Sequence, residues 1–253
     1  MLPPAGEDVD CLGVRVRSTG FAPLWDWLRV AVAQPNTRTQ TMAIVNAHSL
    51  NLAYENAAYR AVLNAFHLVL NDGAGLELYS MACGRHFSTN FVGTDLWPNA
   101  FLAARELDRP MSVYLFGGRP GRAKSAAETF AGRYAHVNFV GAMDGYGDSP
   151  SRVLSDLERT RPDVLLVAMG NPLQETWIHE NRHRLFAKVA CGVGAFFDFA
   201  CGAVPRAPAW MRRARLEWVY RLGFEPKRMF DRYVLGNPRF AVRSARYLAT
   251  GRL

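Results

Sequence analysis

One aspartate in this 253-residue chain stands where it can do acid–base work. Asp72 lies in Asn71-Asp72-Gly73-Ala74-Gly75, directly after an apolar run at 67–70 that reads as a strand. A carboxylate at a strand end can take a proton from an incoming hydroxyl as a general base. Asp-Gly also supports an Asx-turn or a helix N-cap with no chemistry attached. Other polar clusters share its placement, each closing or following an apolar run: Asn46, Gly117-Gly118-Arg119-Pro120-Gly121, Asp144-Gly145-Tyr146, Gly170-Asn171-Pro172 with Gln174-Glu175, and Gly192 through Asp198. The glycine turn at 117–121 can offer backbone N–H groups and a helix start to a phosphate, though it matches neither a Walker motif nor GxGxxG, and a plain βα turn explains it as well. Gln174 and Glu175 can hydrogen-bond a uracil, a ribose or a sugar; Glu175 also suits a helix cap. Asp198 has two partners in prospect, Arg206 or a ligand hydroxyl.

Other chemistries find no residues to carry them. The six histidines are not read as a ligand set: His179-Glu180-Asn181-Arg182-His183 has the His-Glu-x-x-His spacing of a zincin, but it is read as a solvated helix face. There is no serine nucleophile elbow and no CxxC among the four cysteines. The expectation is a site without metal or cofactor.

The elements that must position these clusters alternate. Strand-like runs at 12–16, 41–46, 67–70, 111–116, 137–142, 164–169 and 189–193 are separated by helical spacing at 22–32, 50–66, 76–83, 96–107, 123–134, 152–159 and from about 176. The last two strand-like runs are short and continuously apolar, as parallel strands covered on both faces are. The fold class expected is α/β, a Rossmann-like, mostly parallel sheet with helices on both faces. In such sheets ligands sit beyond the carboxyl ends of the strands, which is where all six clusters fall.

Charge divides the chain. Residues 206–253 carry twelve Lys/Arg against three Asp/Glu, a local +9 in a chain whose total is +8, so the body is nearly neutral. The expected organisation is a Rossmann-like body over 1–203 and a basic, helical C-terminal appendage over 204–253. Trp210, Trp218 and Tyr220 among its arginines suit an anionic membrane surface better than a merely solvated face. No run is long and apolar enough for a membrane span, and the start lacks the pattern of a signal peptide, which predicts a cytoplasmic, peripheral protein.

Read together, these stretches resemble the WecG/TagA/CpsF family of bacterial glycosyltransferases. The resemblance rests on the clusters above with Val45-Asn46-Ala47, Gly93-Thr94-Asp95, Arg206-Ala207-Pro208, Glu217-Trp218-Val219-Tyr220-Arg221-Leu222 and Glu225-Pro226-Lys227-Arg228, collinear from about residue 12 to residue 240. It implies an inverting, metal-independent transferase that moves a sugar from a UDP-sugar to a polyprenyl-diphosphate-linked saccharide acceptor, at the inner face of the cytoplasmic membrane, in surface polysaccharide synthesis. The donor sugar stays open between an N-acetylmannosamine type, its uronic acid, and glucose or glucuronic acid. By the same resemblance Asp72 is the catalytic base, and Arg221 and Arg228 reach diphosphate as the appendage closes. Asn46 and Gln174 line the sugar site, and Asp144 and Asp198 lie near the nucleotide. Gly73, Thr94, Asp95, Gly117, Gly118, Tyr146, Gly170, Pro172, Glu175 and Arg206 complete the substrate-binding set. The chain departs from the family at Ile44, where Thr is frequent, and at Asn90, where Arg is frequent, both around the sugar-phosphate site. No nucleic acid is expected as a partner, and a homo-oligomer is left open. The alternatives from other classes are a nucleotide- or nucleic-acid-binding protein without catalysis and an NAD-linked oxidoreductase; the first lacks a recognisable nucleic-acid module and the second lacks its fingerprint after the first strand.

Overall fold

The computed structural model describes residues 1–34, 38–146, 149–208, 210–211, 217–251 and 253, with the side chains at 149, 150, 227 and 228 outside that description. Among the described residues eight strands form one sheet in the order β1-β2-β4-β3-β8-β7-β5-β6. They are β1 (Glu7–Cys11), β2 (Val14–Ser18), β3 (Gln40–Val45), β4 (Leu68–Asn71), β5 (Met111–Gly117), β6 (Val137–Met143), β7 (Val164–Ala168) and β8 (Val189–Gly192). Only the β1–β2 hairpin is antiparallel; the other pairings are parallel. The sheet is therefore mixed and mostly parallel, as the alternating pattern predicts. The strand β1 was not foreseen, because Glu7, Asp8 and Asp10 interrupt its apolar residues; its turn places Leu12 and Gly13 at positive φ.

Alternating strand residues feed two cores. Met42, Ile44, Leu68 and Leu70 point to the face covered by α1 (Phe21–Ala33), α5 (Gly93–Ala103), α6 (Arg122–Ala131) and α9 (Phe196–Ala200). Ala43, Val45 and Val69 point to the other, covered by α2 (Ala47–Glu55), α3 (Ala57–Asn64), α4 (Ala74–Ala82), α7 (Ser149–Thr160) and α8 (Leu173–Asn181). This period of two is what a sheet covered on both faces requires. The first core is anchored by edge-on and stacked rings, Phe101 against Phe130, Tyr134 and Phe139, with Phe130 on Phe196.

The single helix expected over 50–66 is two. Asn56 ends α2 with an extended backbone and at once caps α3, its side chain accepting from Tyr59 N at 3.1 Å, so the helical period continues across a break. Past α9 the chain continues through α10 (Glu217–Phe224), α11 (Pro226–Met229), a π-helical turn (Phe230–Leu235) and α12 (Gly236–Thr250). The last helix folds back on the body. Asn51 donates to Gly236 O at 2.7 Å, Arg243 pairs with Glu55 at 2.5 Å and reaches Asn51, and Tyr247 donates to Asp10 at 3.2 Å.

The sheet edge remote from the polar clusters is pinned by Asp163. This buried carboxylate accepts from Arg109 at 2.6 and 2.7 Å and from the N–H and hydroxyl of Ser112 at 2.9 Å, joining the starts of β5 and β7. Burial alone would raise its pKa, but the Arg109 and Ser112 bonds overcome this and hold it below the ordinary carboxylate value. A carboxyl depressed in the folded state stabilises above that ordinary value and loses its contribution as pH falls. Asp163→Asn is expected to cost about 1–3 kcal/mol in thermal or urea unfolding at pH 7, with the difference narrowing as the solution is acidified below the ordinary aspartate range.

Candidate active site

Parallel pairing in register brings the carboxyl ends of six strands to one rim. Val45 of β3 lies opposite Asn71 of β4, so the residues that follow, Asn46 and Asp72, emerge side by side. Asn46 caps α2, its carbonyl oxygen accepting from His48 N, Ser49 N and the Ser49 hydroxyl at 3.1–3.2 Å. Its amide nitrogen is left to donate to the Asp72 carboxylate. Asp72 N donates to Val45 O at 2.8 Å, and Gly73 N to Asn90 Oδ1 at 2.7 Å, which fixes the turn. Gly73 takes φ +91°, open to glycine and strained for other residues.

The Asp72 carboxyl has its pKa pushed up to about 6. Burial is the cause; the Arg232 cation, the Asn46 amide and the Arg221 cation oppose it, while Glu217 adds to it. A group of this pKa is largely ionised at neutral pH yet still basic enough to receive a proton, the balance a general base needs. His48 lines the same cavity, half-buried; burial and the Arg232 charge lower its pKa to about 4, which leaves it neutral.

Gln174 and Glu175 work inside the rim. Gln174 Oε1 accepts from Gly170 N at 3.1 Å and Gly194 N at 3.0 Å, so one buried side chain ties the loops after β7 and β8 together. A Cβ on Gly192 would come within 2.7 Å of Gln174 Nε2, which is why the strand end there is glycine. Glu175 is fully buried and accepts from Gln174, Asn171 and Tyr59 at 2.7, 2.7 and 3.1 Å; burial pushes its pKa up to about 7 against those bonds. The glycine turn after β5 is likewise engaged: Gly118 N donates to Ala168 O at 2.7 Å and Gly121 N to Asp144 Oδ1 at 3.0 Å. Gly117, at φ +116°, runs so close to β7 that a Cβ would meet Ala168 O at 2.5 Å. These loop amides hold the rim together; those of Gly118 and Gly121 are spent on it.

A cavity of about 1120 Å³ joins Asp72 with Asn46, Gly73, Thr94, Gly118, Tyr146, Gly170, Gln174, Asp198 and Arg221. Gly117, Asp144, Pro172, Glu175, Asp95 and Arg206 lie outside its lining. Asp198 is 3.6 Å from Arg122, and Arg206 instead reaches Asp95 at 2.9 Å and the Thr94 hydroxyl at 3.1 Å, which ties the segment after the body to the start of α5. Arg228 has its side chain outside the described residues. Arg221 sits beside the Phe199 ring at 5.4 Å and 3.9 Å from Glu225. Its buried Nε and Nη2 nevertheless have no hydrogen-bond partner among the described residues, a costly state that an anion in the cavity would relieve. Sequence reasoning missed Arg232 and His48 as members of the site. Arg232 was one arginine in a basic run, and His48 was weighed only as a metal ligand. Among the described residues no group of three His, Cys, Asp or Glu is placed to hold a metal ion, and no helix is long and apolar enough to cross a membrane.

Strand ends converging on one carboxylate of raised pKa, with Arg221 and Arg232 lining the same cavity, define a Rossmann-like α/β protein with its candidate site at the carboxyl rim of the sheet. The chain belongs to the glycosyl transferase WecG/TagA/CpsF family, whose model matches residues 9–253. An N-acetylglucosaminyldiphosphoundecaprenol N-acetyl-beta-D-mannosaminyltransferase of Bacillus subtilis (strain 168) is 30% identical over 201 residues, 79% of this chain and 77% of that protein. Proteins of the same description from Bacillus spizizenii (31% over 188 residues; 74% and 72%) and Staphylococcus aureus strain MRSA252 (27% over 222 residues; 87% and 86%) are similar as well.

The raised pKa of Asp72 has a stability consequence. The folded state holds this proton more tightly than the unfolded chain, so the contribution of this group to stability is fully present at low pH and is lost as pH rises from the ordinary value through about 6. Asp72→Asn is expected to unfold about 1–3 kcal/mol less readily than the parent at pH 8, with the advantage gone near pH 4. Parallel thermal melts across that range check it.

Proposed function

We propose that this chain is an inverting glycosyltransferase that moves an N-acetylmannosamine-type sugar from a UDP-sugar to a saccharide linked to a polyprenyl diphosphate, at the inner face of the cytoplasmic membrane. Family membership supports glycosyl transfer, and the relatives' descriptions support this acceptor and this sugar. The observation that carries the reading is the presence, in one cavity, of the Asp72 carboxylate with its pKa near 6 and of Arg221, whose buried donors have no hydrogen-bond partner among the described residues.

In the proposed reaction Asp72 removes the proton from the acceptor hydroxyl as the oxygen attacks the anomeric carbon of the donor. The bond from that carbon to the UDP oxygen breaks on the opposite face, and the configuration inverts. The electron pair leaves with UDP, whose growing negative charge meets Arg221 and Arg232, with Arg119 at the lip. Arg228 joins them by the family resemblance. Asn46 holds Asp72 in place, and Gln174 keeps the strand-end loops together. These cations take the role a divalent metal would otherwise fill, so the reaction is proposed to be metal-independent. Residues 204–253 are proposed to act as a separate appendage that meets the membrane: Trp210, Phe224 and Phe230, at 63%, 55% and 49% exposure, leave apolar surface beside its arginines.

A screen of UDP release over UDP-N-acetylmannosamine, its uronic acid, UDP-glucose, UDP-glucuronic acid and UDP-N-acetylglucosamine, each with a prenyl-diphosphate-saccharide acceptor, tests the reading. UDP-N-acetylmannosamine is expected to be turned over fastest; a preference for another sugar would correct the donor, whose neighbourhood includes the departures Ile44 and Asn90. Asp72→Asn is expected to lower kcat about 100-fold or more while UDP binding survives, and the parent's kcat/KM should rise with pH through about 6. Turnover should persist in excess EDTA with metal-stripped substrates; loss restored by magnesium or manganese would refute metal independence. Arg221→Ala should lower kcat about tenfold or more, as expected for removing a charged group that meets the leaving phosphate.

A further inference from the structure

The cavity that holds Asp72 does not close beneath the arginines. It continues outward between α4 and α12, where Leu78 and Ala82 form one wall and Ala241, Ser244, Ala245 and Leu248 the other. The two helices meet at one end, where Phe240 packs against Tyr79 with ring centroids 6.2 Å apart. Beyond that contact the groove opens to the surface, with Leu248 at 42% exposure and Leu78, next to Tyr79 on α4, at 67%.

The α12 wall is a stripe. Positions 241, 244, 245 and 248 recur at helical spacing on one face, while Arg243 and Arg246 occupy the others; Arg239 also lines the cavity. Within that stripe Ser244 is 8% exposed, and its hydroxyl has no hydrogen-bond partner among the described residues. A buried hydroxyl left unpaired on the cavity wall is a donor waiting for an acceptor atom.

We infer that this groove receives the first isoprene units of the acceptor's polyprenyl diphosphate. The inference rests on the glycosyltransferase reading above and adds where the lipid runs. An acceptor with its hydroxyl at Asp72 must lead its diphosphate and tail out of the same cavity, and this groove is an apolar exit continuous with it. The alanines at 82, 241 and 245 leave room for the methyl branches of a prenyl chain. From Gly236, beside Arg232, to Leu248 the helix runs about 18 Å, long enough to guide several units before the chain enters the bilayer.

The test compares a short-chain with a long-chain prenyl-diphosphate-saccharide acceptor in the same detergent micelles, using the full chain and the variants Ala82→Trp and Ala245→Trp, which fill the groove from opposite walls. Both positions are exposed, so a bulky ring is tolerated by the fold; Leu248→Asp makes the wall polar without filling it. The parent should prefer the long-chain acceptor. Each variant should shrink the long-to-short ratio of kcat/KM by about tenfold or more, the effect of losing roughly two buried methylenes. Vesicle co-sedimentation run alongside reads whether membrane binding has changed. A parent indifferent to chain length, or variants that lower both substrates equally, would overturn the groove while leaving the glycosyltransferase reading standing. Loss of vesicle binding with an unchanged ratio would assign the stripe to the membrane surface instead and overturn it as well. Failure of the parent to transfer sugar to either acceptor would overturn the glycosyltransferase reading itself, and the groove with it.

Discussion

Sinking a carboxylate into a protein cavity costs free energy, and at Asp72 that cost shapes the rest of the molecule. Burial drives its pKa to about 6, and what keeps it from rising further is one amide from Asn46 and two positive charges from the far end of the chain. The fold therefore has to do two separate things. Parallel strands must end together so that Asn46 stands beside Asp72, and the last 50 or so residues must return across the body so that Arg221 and Arg232 stand over it. The return is held by bonds remote from the carboxylate: Arg206 to Asp95, Arg243 to Glu55, and Asn51 to the start of the last helix.

The rim uses its polar groups in a different way from the roof. Gln174, Glu175, Asn171 and Tyr59 form a network without a cation, in which a buried glutamate is satisfied by three neutral donors. Gln174 spends its acceptor on Gly170 N and Gly194 N. Such a network is worth having only when complete, because each unmet member would be left in a medium of low dielectric. Its completeness makes the rim rigid and largely self-contained. Over it, Arg221 is the opposite case: its buried guanidinium donors have no hydrogen-bond partner among the described residues, which leaves them capacity to bind. Rigid acceptor geometry below and unspent positive charge above is a division of labour suited to transfer between two anionic substrates.

The class of fold, and the rim of the sheet on which the candidate site lies, are legible in the sequence. Apolar runs of strand length alternating with helical spacing leave few architectures, and polar clusters that each follow a strand must share the carboxyl rim of a parallel sheet. The positions of Asp72 and Asn46 are legible for that reason. Less was legible where local signals run against the tertiary outcome. The charged residues of β1 hid a strand whose partner supplies the pairing, and Asn56 broke a helix without breaking its period.

Only the tertiary structure decided what the polar residues do. Gln174 and Glu175 are of types that bind ligands, but the approach of the β7 and β8 loops turns them inward, and of the two partners in prospect for Asp198, Arg206 is not taken: Arg206 meets Asp95, and Asp198 faces Arg122. Arg232 and His48 enter the site because a segment nearly two hundred residues beyond β3 packs over its end, a proximity that no spacing along the chain encodes. Composition announces that the final segment is basic. Which of its arginines matter depends on the direction each side chain takes once the helices have packed, and that is set by contacts with the body.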